Sequence, residues 1–142
     1  MTILDQVHAE CAALGTLLFT VTTHDHAAGL ARRSYTSHPV EYPVQGTKPL
    51  SHDAWYETCI TGLTPFVANT PEGFRALFFD HALIESLGLG SAVNLPVIDG
   101  AGHVTATLNL LAEAGHFTAE KLAAYVGILN RHHAALVAAT AR

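Results

Sequence analysis

Two strand-like runs, Ser91 to Ile98 and His103 to Leu111, are joined by Asp99-Gly100-Ala101-Gly102. Turn residues of this kind between apolar runs commit the chain to a β-hairpin. Downstream, Phe117 and Leu122 flank Thr118 as a hydrophobic staple around a helix cap, with Glu120 near the positive end of the helix. Leu122, Tyr125, Val126, Leu129, His133, Leu136 and Val137 recur at spacings of three and four. The period predicts one helix of about 22 residues, ~33 Å at 1.5 Å per residue. At the other end, Thr2 and Asp5 form a capping-box pattern ahead of Ile3, Leu4, Val7, Cys11 and Leu14, which predicts a helix from Ile3 to Leu14 closed by Gly15. Leu17, Phe19 and Val21 alternate with Leu18, Thr20 and Thr22 as a strand, and a second strand is expected around Gly29 to Thr36 after the loop His24 to Ala28.

The middle of the chain is less regular. Residues 37 to 48 hold two prolines, one glycine and no period, which reads as a loop or a weak edge. Ser51 or Asp53 can cap a helix through Ile60 closed by Gly62, and Thr64 to Val67 is a short strand. Thr70-Pro71-Glu72 starts a brief helix, and Asp80 can cap another from His81 to Leu87, stopped by Gly88. The order is α+β with an antiparallel sheet. Both terminal helices are amphipathic and pack together on one face, so residues 37 to 88 roof the other, an arrangement that makes a small-molecule pocket.

The chain of 142 residues, 49% hydrophobic, fits one domain spanning residues 1 to 142. Twelve acidic against seven basic side chains give a net charge of -5, which argues against a nucleic-acid partner. No apolar stretch approaches the roughly 20 residues that span a bilayer, and no basic-then-apolar leader opens the chain, so no membrane partner and a cytoplasmic location are expected. Charged residues are 13% of the chain, against about 25% in an average domain. That deficit points to a covered surface, for which a homodimer through the terminal helices, with Val126 or Ile128 in the interface, is the simplest cover. Cys11 and Cys59 are too few for a disulfide framework or a metal knuckle.

Two segments resemble a known family. Trp55-Tyr56-Glu57-Thr58-Cys59-Ile60-Thr61-Gly62-Leu63-Thr64-Pro65-Phe66-Val67 is similar to the helix-glycine-strand segment of GAF domains. Leu89-Gly90-Ser91-Ala92-Val93-Asn94-Leu95-Pro96-Val97, Asp99-Gly100 and Ala106-Thr107-Leu108-Asn109-Leu110-Leu111 resemble that family's central strand pair. The resemblance covers about residues 3 to 138. It implies a PAS-related antiparallel sheet of five or six strands, terminal helices on one face that often form a dimer bundle, and a ligand pocket under loops and short helices on the other. It implies no particular cofactor: no Asn-Lys-Phe-Asp-Glu-like run marks cyclic-nucleotide regulation, no cysteine stands where a bilin would attach, and the catalytic cysteine cluster of the free methionine sulfoxide reductases is missing.

The candidate site residues each carry two readings. His24-Asp25-His26 is a metal-ligand pattern if His38, Asp53 or His103 completes it, and otherwise a solvated hairpin turn. Cys59 is a reactive thiol or a small buried hydrophobe. His133 continues the apolar stripe of the last helix while His132 does not, which makes His133 a core or interface residue. The aromatic roof residues Tyr35, Tyr42, Trp55, Phe66, Phe74, Phe78 and Phe79, with Asp80 and His81 beside them, line a ligand pocket or are plain core. Asn94, Thr107 and Asn109 sit inside apolar strands, where each polar group needs a partner in the roof or a ligand. Arg32 and Arg33 put a cation on each face of the second strand, where one meets an anionic ligand beside Tyr35 or is a surface arginine on an edge strand. The expected function is binding of an unidentified small molecule, with neither a metal nor a catalytic residue assigned. The alternatives are an interaction scaffold with a self-filled pocket and an enzyme using His81 with Asp80, or Cys59 with a histidine.

Overall fold

The computed structural model describes residues 1–44 and 46–141. Helix α1 (Ile3–Ala13) starts at Thr2, whose side chain accepts from the Asp5 N–H while the Asp5 carboxylate accepts from the Thr2 N–H. Strands β1 (Leu18–Asp25) and β2 (Leu30–Thr36) form the first hairpin, and β3 (Thr47–Pro49) adds a short edge. The irregular middle holds α2 (Ala54–Tyr56) continued by a π-helical turn over Glu57–Thr61, then β4 (Phe66–Ala68), α3 (Glu72–Arg75) and α4 (His81–Ser86). The second hairpin is β5 (Ser91–Ile98) with β6 (Val104–Ala112), followed by α5 (Ala119–Arg131) and α6 (His133–Thr140). The six strands form one antiparallel sheet in the order β3-β2-β1-β6-β5-β4.

Because side chains alternate across a strand, the pairing register divides the sheet into two faces. Phe19, Val21, Val93, Leu95, Leu108 and Leu110 pack against Val7, Cys11, Tyr125, Ile128 and Leu136 of the terminal helices. Leu18, Ala92 and Leu111 face the other way and meet Tyr42, Phe74, Ile84 and Leu89 of the middle segment. The helical layer is latched by polar contacts. The Thr16 hydroxyl donates to Tyr125 Oη at 2.9 Å, Tyr125 Oη lies 2.8 Å from His116 Nε2, and Glu10 takes Arg131 and His132 at 2.6 and 2.7 Å. Gly15 is required at its turn: its φ is +110°, and a Cβ there would lie 2.6 Å from the His116 ring.

Several local expectations change. The C-terminal helix is two segments rather than one, because His132 leaves helical geometry (φ −106°, ψ 13°) while its Nε2 bonds Glu10 on α1. His133 is exposed and donates to the Ile98 carbonyl at 2.6 Å, so His132 is the more buried of the pair. Ile128, expected in a dimer interface, is 4% exposed within the core of its own chain, and Val126 packs against that core. The helix lies on the sheet and spends this stripe there. Asp80 precedes α4 without capping it, because its carboxylate accepts the Tyr42 hydroxyl instead.

Truncation should separate the two kinds of apolar residue. Leu110 is fully buried between sheet and helices, so Leu110→Ala is expected to cost about 2–5 kcal/mol in urea unfolding. Phe79 is 85% exposed, so Phe79→Ala should stay within about 0.5 kcal/mol of the parent. Equal losses would contradict the placement of the core.

Candidate functional site

A cavity of about 460 Å³ lies between the roof-side face of the sheet and the middle segment. Its floor is polar. Thr20, Thr22 and His24 come from β1, Arg33 from β2, Asn94 from β5, and Thr107 and Asn109 from β6. Tyr42, Leu50, Trp55, Phe78, Phe79 and Asp80 supply walls and roof.

Register explains why these polar groups meet. Asn109 stands opposite Asn94 on one side and Thr20 on the other, and Thr107 stands opposite Thr22. The indole N–H of Trp55, which can only donate, reaches Asn94 Oδ1 at 2.8 Å. Asn94 Nδ2 therefore donates onward to Asn109 Oδ1 at 2.7 Å, and Asn109 Nδ2 donates to both Thr20 and Thr22 hydroxyls at 3.0 Å. A donor at one end thus fixes the orientation of both amides. Each threonine hydroxyl accepts an amide proton and keeps its own proton to give to the cavity.

His24 is 2% exposed, with Nε2 3.4 Å from the Thr107 hydroxyl and, among the described residues, no partner on Nδ1. Its ring stacks on His26 at 5.9 Å and on Trp55 at 6.3 Å. Burial, then the nearby His26 and Lys48, push its pKa down to about 4, so the ring is neutral at pH 7. Arg33 lies 4.9 Å over the Tyr42 ring and donates to the Pro43 carbonyl at 3.0 Å, while its buried Nε has no acceptor among the described residues. The Tyr42 hydroxyl donates to Asp80, and burial together with that carboxylate raises the tyrosine pKa.

Seven of the ten expected site residues line this cavity: Trp55, Phe78, Phe79, Asp80, Asn94, Thr107 and Asn109. Three lie elsewhere. Tyr35 faces the helices because the β1–β2 register shifts between Val21 and Thr22, so that Tyr35 pairs with Val21 and Arg33 with Thr22. Its hydroxyl donates to Asp5 at 3.0 Å, and burial plus that carboxylate push its pKa up to about 12. Phe66 packs on Phe78 behind the cavity wall. His81 turns to Glu85 at 3.3 Å and does not pair with Asp80. The side chains of Asn94 and Asn109 bond each other, Trp55 and the threonines rather than roof backbone.

Thr20 and Thr22 went unrecognised as site residues, because polar alternation on a strand usually marks the solvent face. The available signal was their parity with polar positions on the other hairpin. His24 and Asp25 belong to β1, so His24 is buried rather than in a solvated turn. Among the described residues no group of three or more His, Cys, Asp or Glu could hold a metal. Cys59 is fully buried with its thiol 3.7 Å from the Asn94 carbonyl, and burial pushes its pKa up to about 11. A thiol so placed behaves as a small hydrophobe. No described helix is long and apolar enough to cross a membrane.

His24 gives the site a pH signature. The folded ring titrates near 4 and an unfolded one near 6.5, so the unfolded chain binds more protons between those values and stability falls as pH drops through that window. From pH 7 to pH 5 the parent should lose about 2 kcal/mol more in urea unfolding than His24→Gln. Parallel pH profiles would contradict a buried neutral ring.

No family model matches the chain, and no curated protein matches it. Solved structures do. The GAF domain of a two-component sensor histidine kinase from Bacillus halodurans is 10% identical, with a TM-score of 0.74 over 94% of this chain and 90% of that one. The second GAF domain of DevS from Mycobacterium smegmatis is 22% identical, with a TM-score of 0.66 over 96% and 93%. The GAF domain of a phosphoenolpyruvate-protein phosphotransferase from Coxiella burnetii is 17% identical, with a TM-score of 0.65 over 96% and 92%. At such identities the likeness speaks to architecture, and it agrees with the strand order and layering: the chain has the GAF-domain fold.

Proposed function

We propose that this chain is a sensory or regulatory domain that binds a small organic molecule between the central sheet and the roof, and acts as a homodimer through its terminal helices. The observation that carries this reading is the cavity of about 460 Å³, whose size falls within the range of ligand pockets and whose floor offers unpaired donors. A self-filled scaffold would close this space with its own side chains, so an open cavity favours the binding reading.

β1 is the physical link from ligand to helices. Thr20, Thr22 and His24 face the cavity from it, while Phe19 and Val21 on its other face pack beneath α1 and α5. A ligand that draws the floor threonines toward the roof moves residues on which the helices rest. Ligand affinity and helix packing are then coupled reciprocally. The outward side of α6 carries Ala134, Ala135, Ala138 and Ala139, all exposed and uncharged, a surface that a second copy can approach closely. The solved neighbours drawn from a sensor histidine kinase and a phosphotransferase support a regulatory setting.

Native mass spectrometry, after purification and again after incubation with a cell extract, tests both parts at once. The expected spectrum is a dimer with an extra mass of a few hundred daltons per chain that disappears on denaturation. A bare monomer under both conditions would overturn the proposal.

A further inference from the structure

The cavity's polar groups are unbalanced in a way that specifies its ligand. Four donors on its lining residues have no acceptor among the described residues, two of them, Arg33 Nε and His24 Nδ1, buried beneath the cavity surface. The Thr20 and Thr22 hydroxyls are forced into that role by the amide ladder. Arg33 spends one N–H on the Pro43 carbonyl and leaves a buried Nε without an acceptor. When the Thr107 hydroxyl donates to His24 Nε2, the neutral ring carries its proton on the unpartnered Nδ1.

The two carboxylates of the lining each hold one donor of the chain. Asp53 receives the Tyr56 N–H as a helix cap, and Asp80 receives the Tyr42 hydroxyl. Among the described residues no carboxylate pairs with Arg33, whose guanidinium is held in place by Tyr42. Lys48, the other cation of the wall, is solvent-exposed. Around these polar groups the lining is apolar: Leu18, Ala31, Trp55, Phe78, Ile84 and Leu111.

Taking the cavity as a ligand site, as proposed above, we infer that its ligand is a small organic monocarboxylate, with the carboxylate between Arg33, His24 and the Thr20 and Thr22 hydroxyls and an apolar body against Trp55 and Phe78. A guanidinium matches a carboxylate fork with two parallel hydrogen bonds. Arg33 and Lys48 offset the charges of Asp53 and Asp80 in the lining, so a dianionic phosphate would add twice the excess negative charge that a monocarboxylate adds to a partly buried site. Beside Arg33, Thr20 and Thr22 a cationic ligand would meet donors where it needs acceptors.

Trp55 is the chain's single tryptophan, so its indole N–H gives one resolved signal in a ¹H–¹⁵N spectrum. Phenylacetate, 2-phenylacetamide, phenethylamine and phenyl phosphate share a body and differ in charge, and each is titrated into the intact protein. Phenylacetate is expected to move the Trp55 signal saturably and to bind at least tenfold tighter than the amide, the amine or the phosphate. Arg33→Gln should weaken phenylacetate tenfold or more and leave the amide unchanged, which also shows that the variant is folded. Equal binding of acid, amide and amine would overturn the carboxylate assignment while the cavity remained a binding site. Tighter binding of phenyl phosphate would replace it with a phosphate ester. No movement of Trp55 with any probe would remove both the assignment and the reading beneath it.

Discussion

The hydrogen bond from the Trp55 indole to Asn94 orders the middle of this molecule. Two asparagine side chains lie in the central strands of the sheet, and a buried amide without partners costs about 1–3 kcal/mol. Once the indole donates, both amides have one orientation available, and the row runs from roof through β5 and β6 to the hydroxyls of β1. The same bond holds α2 against the sheet, so roof position and floor polarity have one origin.

The two faces of the sheet divide labour accordingly. The helix-side face is apolar and closed, and its polar latches, Tyr35 to Asp5 and Glu10 to Arg131 and His132, lie at its rim. The roof-side face is apolar where Leu18, Ala92 and Leu111 meet Phe74 and Ile84. Beyond that patch the floor turns polar, and the cavity separates it from the roof except where Trp55 reaches Asn94. Stability thus rests on the first face, and the second is free to carry a pocket lined by donors. Histidine serves both: His116 and His132 latch helices, and His24 sits neutral in the cavity wall.

Features governed by neighbouring residues were legible in the sequence. The capping box at Thr2 and Asp5, the hairpin turn at Asp99 to Gly102 and the cap at Thr118 depend on groups within four positions of one another. The aromatic roof and the three polar strand residues were legible too, because an amide among apolar neighbours demands an explanation. What stayed hidden depends on distant pairing. The register shift that turns Tyr35 away from Arg33 is set by how β1 meets β2, and no residue in β2 announces it. Asp80 reads locally as a cap, yet Tyr42, 38 positions away, takes its carboxylate. The break at His132 comes from Glu10 on the opposite end of the chain.

Solvent exchange of the Trp55 indole proton tests the ordering bond most directly. If the indole donates to Asn94, that proton should exchange much more slowly than a free indole, and Asn94→Ala should return it toward the free rate while the amides of α1 and α5 remain protected. An indole proton that exchanges at the free rate in the parent protein would contradict the account, since the amide ladder and the donor-lined floor would then have nothing to fix their direction.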